Sequence, residues 1–230
     1  MQTRPPFNSY KFFTCYESFQ LRMPTYKLYY FNARGAAETI RFIFAQAGVQ
    51  YEDVRFDFET TWPEFKPKTP YGVLPVLEVD GKMIAGSGPI ARYVAEEHGL
   101  AGSNAFENAE IAGIIDVLND FLLKYRPIGP FGEKDETRRA ELKKEFEEKD
   151  IPRYLGTLEK RASENNSADG WLYGAKVTYA DLRAYTLFSA MEDTVPGMLD
   201  NYPTMKKLKT SVENLPAIAK WIKERPQTKF

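Results

Sequence analysis

A chain of 230 residues with 43% apolar content can build one large core or two modest ones, and two domains are expected. Thirty-one basic against thirty-two acidic side chains leave no electrostatic footprint for nucleic acid or an anionic membrane, so the expected partner is a small molecule or another protein chain. Cys15 is the sole cysteine and His98 the sole histidine, which excludes an intrachain disulfide and Cys or His metal clusters and fits a reducing, cytoplasmic setting.

Residues 1–22, MQTRPPFNSYKFFTCYESFQLR, are aromatic and carry Arg4, Lys11 and Arg22 against Glu17. They lack a secretory apolar region and are expected to be a disordered extension ahead of a fold that starts at Met23, with a mitochondrial presequence as the other reading. No later stretch approaches the ~20 apolar residues that span a bilayer, so a soluble chain is expected.

Tyr26 to Phe31 has the aromatic content of a buried strand, on which Tyr30 shares a face with Leu28 and Tyr26 while Tyr29 points the other way. Asn32 to Gly35 reads as a turn. Ile40, Ile43, Phe44 and Ala47 then recur as an amphipathic helix that Gly48 stops. A second strand over Tyr51 to Phe56 completes a βαβ unit with parallel strands. Thr61 to Lys68, with its prolines, reads as a loop or broken helix. Asp80-Gly81 between Val76–Val79 and Lys82–Ala85 is a strong hairpin signal. Ser87 stands where a helix N-cap belongs, ahead of Pro89 and the stripe Ile90, Tyr93, Val94. The order β-α-β, β-β-α over residues 25 to about 98 is that of a thioredoxin-like sheet.

After a boundary near Gly99 to Ser103 the pattern is helical throughout. Ile111, Ile114, Ile115, Leu118 and Leu122 hold a 3.6 period, with Asp116 and Asp120 one turn apart on another face. Arg138 to Lys149 reads as a charged helix with Leu142 and Phe146 inward, which Pro152 should kink or end. Thr178-Tyr-Ala-Asp181 has capping-box spacing with Asp in the usual Glu place, and further helices are expected over Thr204 to Glu213 and Pro216 to Lys223. Composition does not elect a catalyst among the tyrosines; any of them reads equally as core.

An α/β thioredoxin-like half (23–101) followed by an all-α half (103–230), without a CxxC pair, resembles the glutathione transferases. The resemblance is to the sigma class, which includes the haematopoietic prostaglandin D synthases and the cephalopod lens S-crystallins. It is carried by MPTYKLYYFNARG, TWPEFKPKTPYGVLPVLEVDG, SGPIARY, LNDF, VTYADL and WIKERPQTK.

The resemblance implies a transferase that conjugates glutathione to small apolar electrophiles, with the Tyr30 hydroxyl stabilising the thiolate. It implies that Leu74, before a cis Pro75, offers its main chain to the tripeptide, with Gly72 and Val73 in the same loop. Gly86 and Ser87 correspond to the positions that receive the γ-glutamyl end, Trp62 and Lys66 to those that hold the glycyl end, and Asp120 to an acid reaching across a homodimer interface. Three departures accompany it: Gly86 stands in place of a glutamine, Ala36 in place of an arginine near the thiol, and the Lys124 to Pro130 loop lacks a pocket tryptophan. Asn119 interrupts an acidic cluster, so no metal is expected. The same departures leave a crystallin-like or ligand-carrying protein, or a prostaglandin isomerase, as alternatives. Phe31, Lys124, Tyr125 and Phe230 are candidate walls of the electrophile pocket.

Overall fold

The computed structural model describes residues 24–228, so the expected N-terminal extension and Phe230 lie outside the described residues. Strand β1 (Tyr26–Phe31) leads through a 3-10 turn into helix α1 (Glu38–Ala47), and β2 (Glu52–Phe56) returns parallel to β1. Gly48 ends α1 in the left-handed region at φ 67°, a conformation without steric cost only for glycine. The stretch over 61–68 is a broken helix: one turn, α2 (Trp62–Phe65), runs into a 3-10 turn over Lys66–Lys68, with proline in each.

Strands β3 (Val76–Val79) and β4 (Lys82–Ala85) form the expected hairpin, and both turn residues take positive φ, 47° at Asp80 and 82° at Gly81, as a type I′ turn requires. The sheet order is β2-β1-β3-β4, with β3 antiparallel to β1. Helix α3 (Ser87–Glu97) closes this thioredoxin-like half. One correction falls here. Gly86, not Ser87, is the N-cap, at φ 97° and ψ 135°, and Ser87 is the first helical residue. The chain leaves β4 so sharply that the cap position itself needs positive φ, which glycine supplies.

The second half is helical among the described residues: α4 (Ala105–Tyr125), α5 (Glu136–Glu145), α6 (Ile151–Asn165), α7 (Tyr179–Glu192), α8 (Pro203–Glu213) and α9 (Pro216–Glu224). Pro152 does not end the helical path. Instead, α5 widens into a π turn over Phe146–Asp150, in which the Ile151 N–H reaches the Phe146 carbonyl, and α6 continues from there. Proline lacks the N–H that would bond four residues back, and the wider register absorbs that loss.

A continuous apolar core joins the two halves. Phe42 of α1 stacks on Tyr185 of α7 with ring centres 5.4 Å apart, and the Thr39 and Thr186 hydroxyls meet at 2.8 Å. No helix among the described residues is long and apolar enough to cross a membrane.

Candidate functional site

The three tyrosines of β1 differ in what their hydroxyls meet. Tyr26 is buried, with its oxygen 3.2 Å from His98 Nε2 and its ring against Phe44. Tyr29 stacks on Phe65 at 4.8 Å and donates to Glu78 Oε2 at 2.9 Å, and burial together with that carboxylate pushes its phenol up to about 12. Tyr30 is half-buried and its hydroxyl oxygen accepts the Ala36 N–H at 3.0 Å. An N–H can only donate, so this bond occupies a lone pair on the oxygen and leaves the phenol proton for another acceptor.

The loop that supplies this N–H is shaped by glycine. Gly35 sits at φ 40°, and a Cβ there would stand 2.6 Å from the Tyr30 oxygen. Arg41 lies below the ring, its guanidinium carbon 5.9 Å from the ring centre. That arginine is fully buried and held by Asp53, Glu38 and the Ala33 carbonyl, so it fixes the loop rather than facing the cavity.

The residues expected around the tripeptide gather at one end of the sheet. Tyr29 of β1 pairs with Val76 and Val76 with Ala85, so Tyr30, Pro75 and Gly86 follow one another across three strands. The Leu74–Pro75 bond is cis. The Gly86 N–H donates to the Pro75 carbonyl at 2.9 Å, fixing the Leu74 turn beside the start of α3. The Ser87 hydroxyl is not engaged in capping that helix. On the other flank Trp62 is buried, its ring edge-on to Phe31 at 5.8 Å. Lys66 is exposed, and its stem lies within 3.5 Å of where a Gly72 Cβ would be, so Gly72 (φ 64°) and Lys66 sit together beside an exposed Val73.

Tyr30 and Ser87 open onto a cavity of about 730 Å³ between the two halves, walled by Leu122, Leu123, Phe131 and Leu187 and edged by Arg34, Arg126, Arg183 and Arg225. A second space of about 430 Å³ shares Ala36, Ser87, Asn119 and Arg183 with it and runs on between α3 and α4 past Asp116. Of the four expected pocket walls, Tyr125 lines the larger cavity, while Phe31 packs on Tyr30, Phe58 and Trp62 and Lys124 is exposed outside the lining. Asp120 is exposed on α4 and lines neither space, so within one chain it is separate from the Tyr30 cluster. Among the described residues no group of His, Cys, Asp or Glu side chains is arranged to hold a metal ion.

Sequence reasoning overlooked the four arginines and Gly35. The arginines come from β1–α1, the end of α4, α7 and the C-terminal segment, and no short spacing links them. Gly35 carried a local signal, since a glycine in the short turn between a strand and a helix can mark a close approach to the backbone.

Comparison with known proteins agrees with this architecture. Residues 26–96 match the family described as "Glutathione S-transferase, N-terminal domain", and residues 120–225 match "Glutathione S-transferase, C-terminal domain". Among curated relatives, the chain is similar to hematopoietic prostaglandin D synthase of Mus musculus, 39% identical over 208 residues that cover 90% of this chain and 100% of the relative. It is likewise similar to glutathione S-transferase 1 of Ascaris suum, 40% identical over 212 residues with the same coverage of both. Among solved structures, the monomeric glutathione S-transferase Na-GST-3 of Necator americanus is 40% identical and superposes with a TM-score of 0.80, covering 90% of this chain and all of the other. The chain belongs to the glutathione S-transferase family.

Proposed function

We propose that this protein conjugates the thiolate of glutathione to small, largely apolar electrophiles, as a sigma-class enzyme of detoxification. The observation that carries the reading is the Tyr30 hydroxyl. It is held by the Ala36 N–H through its oxygen alone, and it opens onto the cavity at the sheet end where Leu74, Pro75, Gly86 and Ser87 converge.

Glutathione's thiol, like free cysteine, ionises well above neutrality, at about 8.5, and only the thiolate attacks an electrophile well. The Tyr30 proton donates to the sulfur and favours the charged form. The Ala36 N–H, donating to the phenol oxygen, polarises the O–H and strengthens that donation. Each unit by which the thiol is lowered corresponds to about 1.4 kcal/mol, and one oriented donor of this kind supplies one or two units.

The tripeptide pairs with the Leu74 main chain as an added strand would. Its γ-glutamyl carboxylate meets the Ser87 hydroxyl and the N–H groups at the start of α3. The indole of Trp62 and the charge of Lys66 face its glycyl end, with Gly72 and Val73 beside it. Asp120, exposed on α4, serves the γ-glutamyl amine of a partner subunit in a homodimer. No residue in this scheme calls for a metal, and a cytoplasmic location matches the reducing setting that free glutathione requires.

The test is retention on immobilised glutathione followed by conjugation of 1-chloro-2,4-dinitrobenzene by wild type and Tyr30→Phe. The variant should lose about tenfold to a hundredfold in rate near neutral pH and recover part of it at alkaline pH, where the thiol ionises unaided. A crystallin-like carrier would turn over little and be indifferent to the change, and that outcome would end the catalytic reading.

A further inference from the structure

The larger cavity is edged by four guanidiniums, Arg34, Arg126, Arg183 and Arg225, and by two carboxylates, Glu38 and Asp193. Both carboxylates are engaged elsewhere. Glu38 takes Arg225 at 2.8 Å and Arg41 at 3.2 Å, and Asp193 lies 3.8 Å from Arg34. Arg126 and Arg183 are left with no acid within ion-pair distance among the described residues. The side-chain hydrogen bond of Arg183 runs to a neutral amide oxygen, Asn119 Oδ1, at a long 3.3 Å. Asp116, the carboxylate of the adjoining space, is exposed on α4 and forms no ion pair with Arg183.

Burial, with the like charge of Arg126 adding to it, pulls the Arg183 guanidinium down to about 10. Two cations that repel each other at the wall of a partly buried space are a cost unless an anion lies between them. A guanidinium offers five donors in a plane, and one amide oxygen occupies a small part of that capacity. The same wall carries a run of largely apolar side chains, Leu122, Leu123, Tyr125 and Phe131, beside the polar Asn119, Thr186 and Ser189.

We infer that Arg126 and Arg183 form a clamp for the carboxylate of an amphipathic organic acid, and that such an acid is the second substrate of this cavity, its hydrocarbon lying on Leu122, Leu123 and Phe131. The inference rests on the transferase reading for the word substrate, while the clamp itself does not require turnover. A carboxylate reaches this wall from two sources, an organic acid or the tripeptide's own carboxyl groups. The apolar surface beside the two arginines favours the organic acid, because the tripeptide has only isolated methylenes between polar groups to cover it.

Calorimetry with decanoate and with decanamide, each in saturating glutathione, tests this on wild type, Arg183→Gln and Arg126→Gln. Wild type should bind decanoate at least about tenfold more tightly than the amide, the scale of one charge-assisted hydrogen bond. Each variant should lose most of that preference with decanamide and glutathione affinities unchanged. Tyr30→Phe should retain it, so loss of catalysis and loss of the clamp are read separately. Equal binding of acid and amide by wild type overturns the proposal. So does an effect of the arginine variants confined to glutathione, which would assign the pair to the tripeptide. Should Arg183→Gln fail to fold, the exposed Arg126→Gln still decides, because a purely structural role would not alter the preference for acid over amide.

Discussion

At position 86 a lost side chain and a backbone requirement meet. Gly86 caps α3 at φ 97°, and a Cβ added there would meet only Pro89, at 3.5 Å, so space is not the obstacle. The obstacle is conformational, since an L side chain at that φ costs about 1–3 kcal/mol. Gly86→Gln should therefore lower stability by about that amount in urea titration while tightening glutathione about tenfold, the scale of one bond to a charged group. Gly86→Ala should show the same stability loss and no tightening. An unchanged affinity for the glutamine variant would mean that a side chain at position 86 does not reach the tripeptide. Gly35, at φ 40°, carries both constraints: there the Cβ would also stand 2.6 Å from the Tyr30 oxygen, so no side chain fits without displacing the hydroxyl.

Among elements, α7 has the most complete local explanation. Thr178 and Asp181 form a reciprocal capping box in which Asp181 Oδ2 accepts the Thr178 N–H at 2.7 Å, and its other oxygen accepts the Leu172 N–H at 2.8 Å. The carboxyl is fully buried, and burial pushes it up to about 6 against the pull of those donors. The folded state thus binds this proton more tightly than the unfolded chain does, so the group adds stability as pH falls through the window from about 6 towards the ordinary aspartate value of 3.8. Relative to Asp181→Asn, wild type should gain about 1 kcal/mol in urea unfolding between pH 7 and pH 5; a constant difference across that range would contradict the raised value. This helix start was readable because a cap is a local interaction between residues three apart. The π turn over Phe146–Asp150 was not, because whether a proline kinks, ends or widens a helix depends on what the flanking turns pack against. Phe146 is buried there, stacked on Phe121 at 5.3 Å, and that packing keeps the helical path continuous.

For the whole molecule, Glu38 at the start of α1 ties the C-terminal segment to the first half of the chain through that helix. One oxygen accepts the Trp221 indole N–H at 3.0 Å and Arg225 at 2.8 Å, and the other accepts the fully buried Arg41. Glu38→Ala should cost about 3–5 kcal/mol in urea unfolding, because it leaves a buried guanidinium short of a partner. A loss below about 1 kcal/mol would mean that the tie is incidental. The glycines, the hairpin and the helix stripes determined the fold class, and the resemblance in short motifs alone singled out Tyr30, since all of these are written in neighbours along the chain. What each phenol meets is a tertiary matter: Glu78 engages Tyr29, His98 neighbours Tyr26, and the Tyr30 oxygen accepts the Ala36 N–H, which leaves its proton for another acceptor. The arginine-edged cavity is likewise a product of folding. Its charges come from segments spread between residues 34 and 225, and only packing of the helical half on the sheet decides which of them find acids and which face the open space.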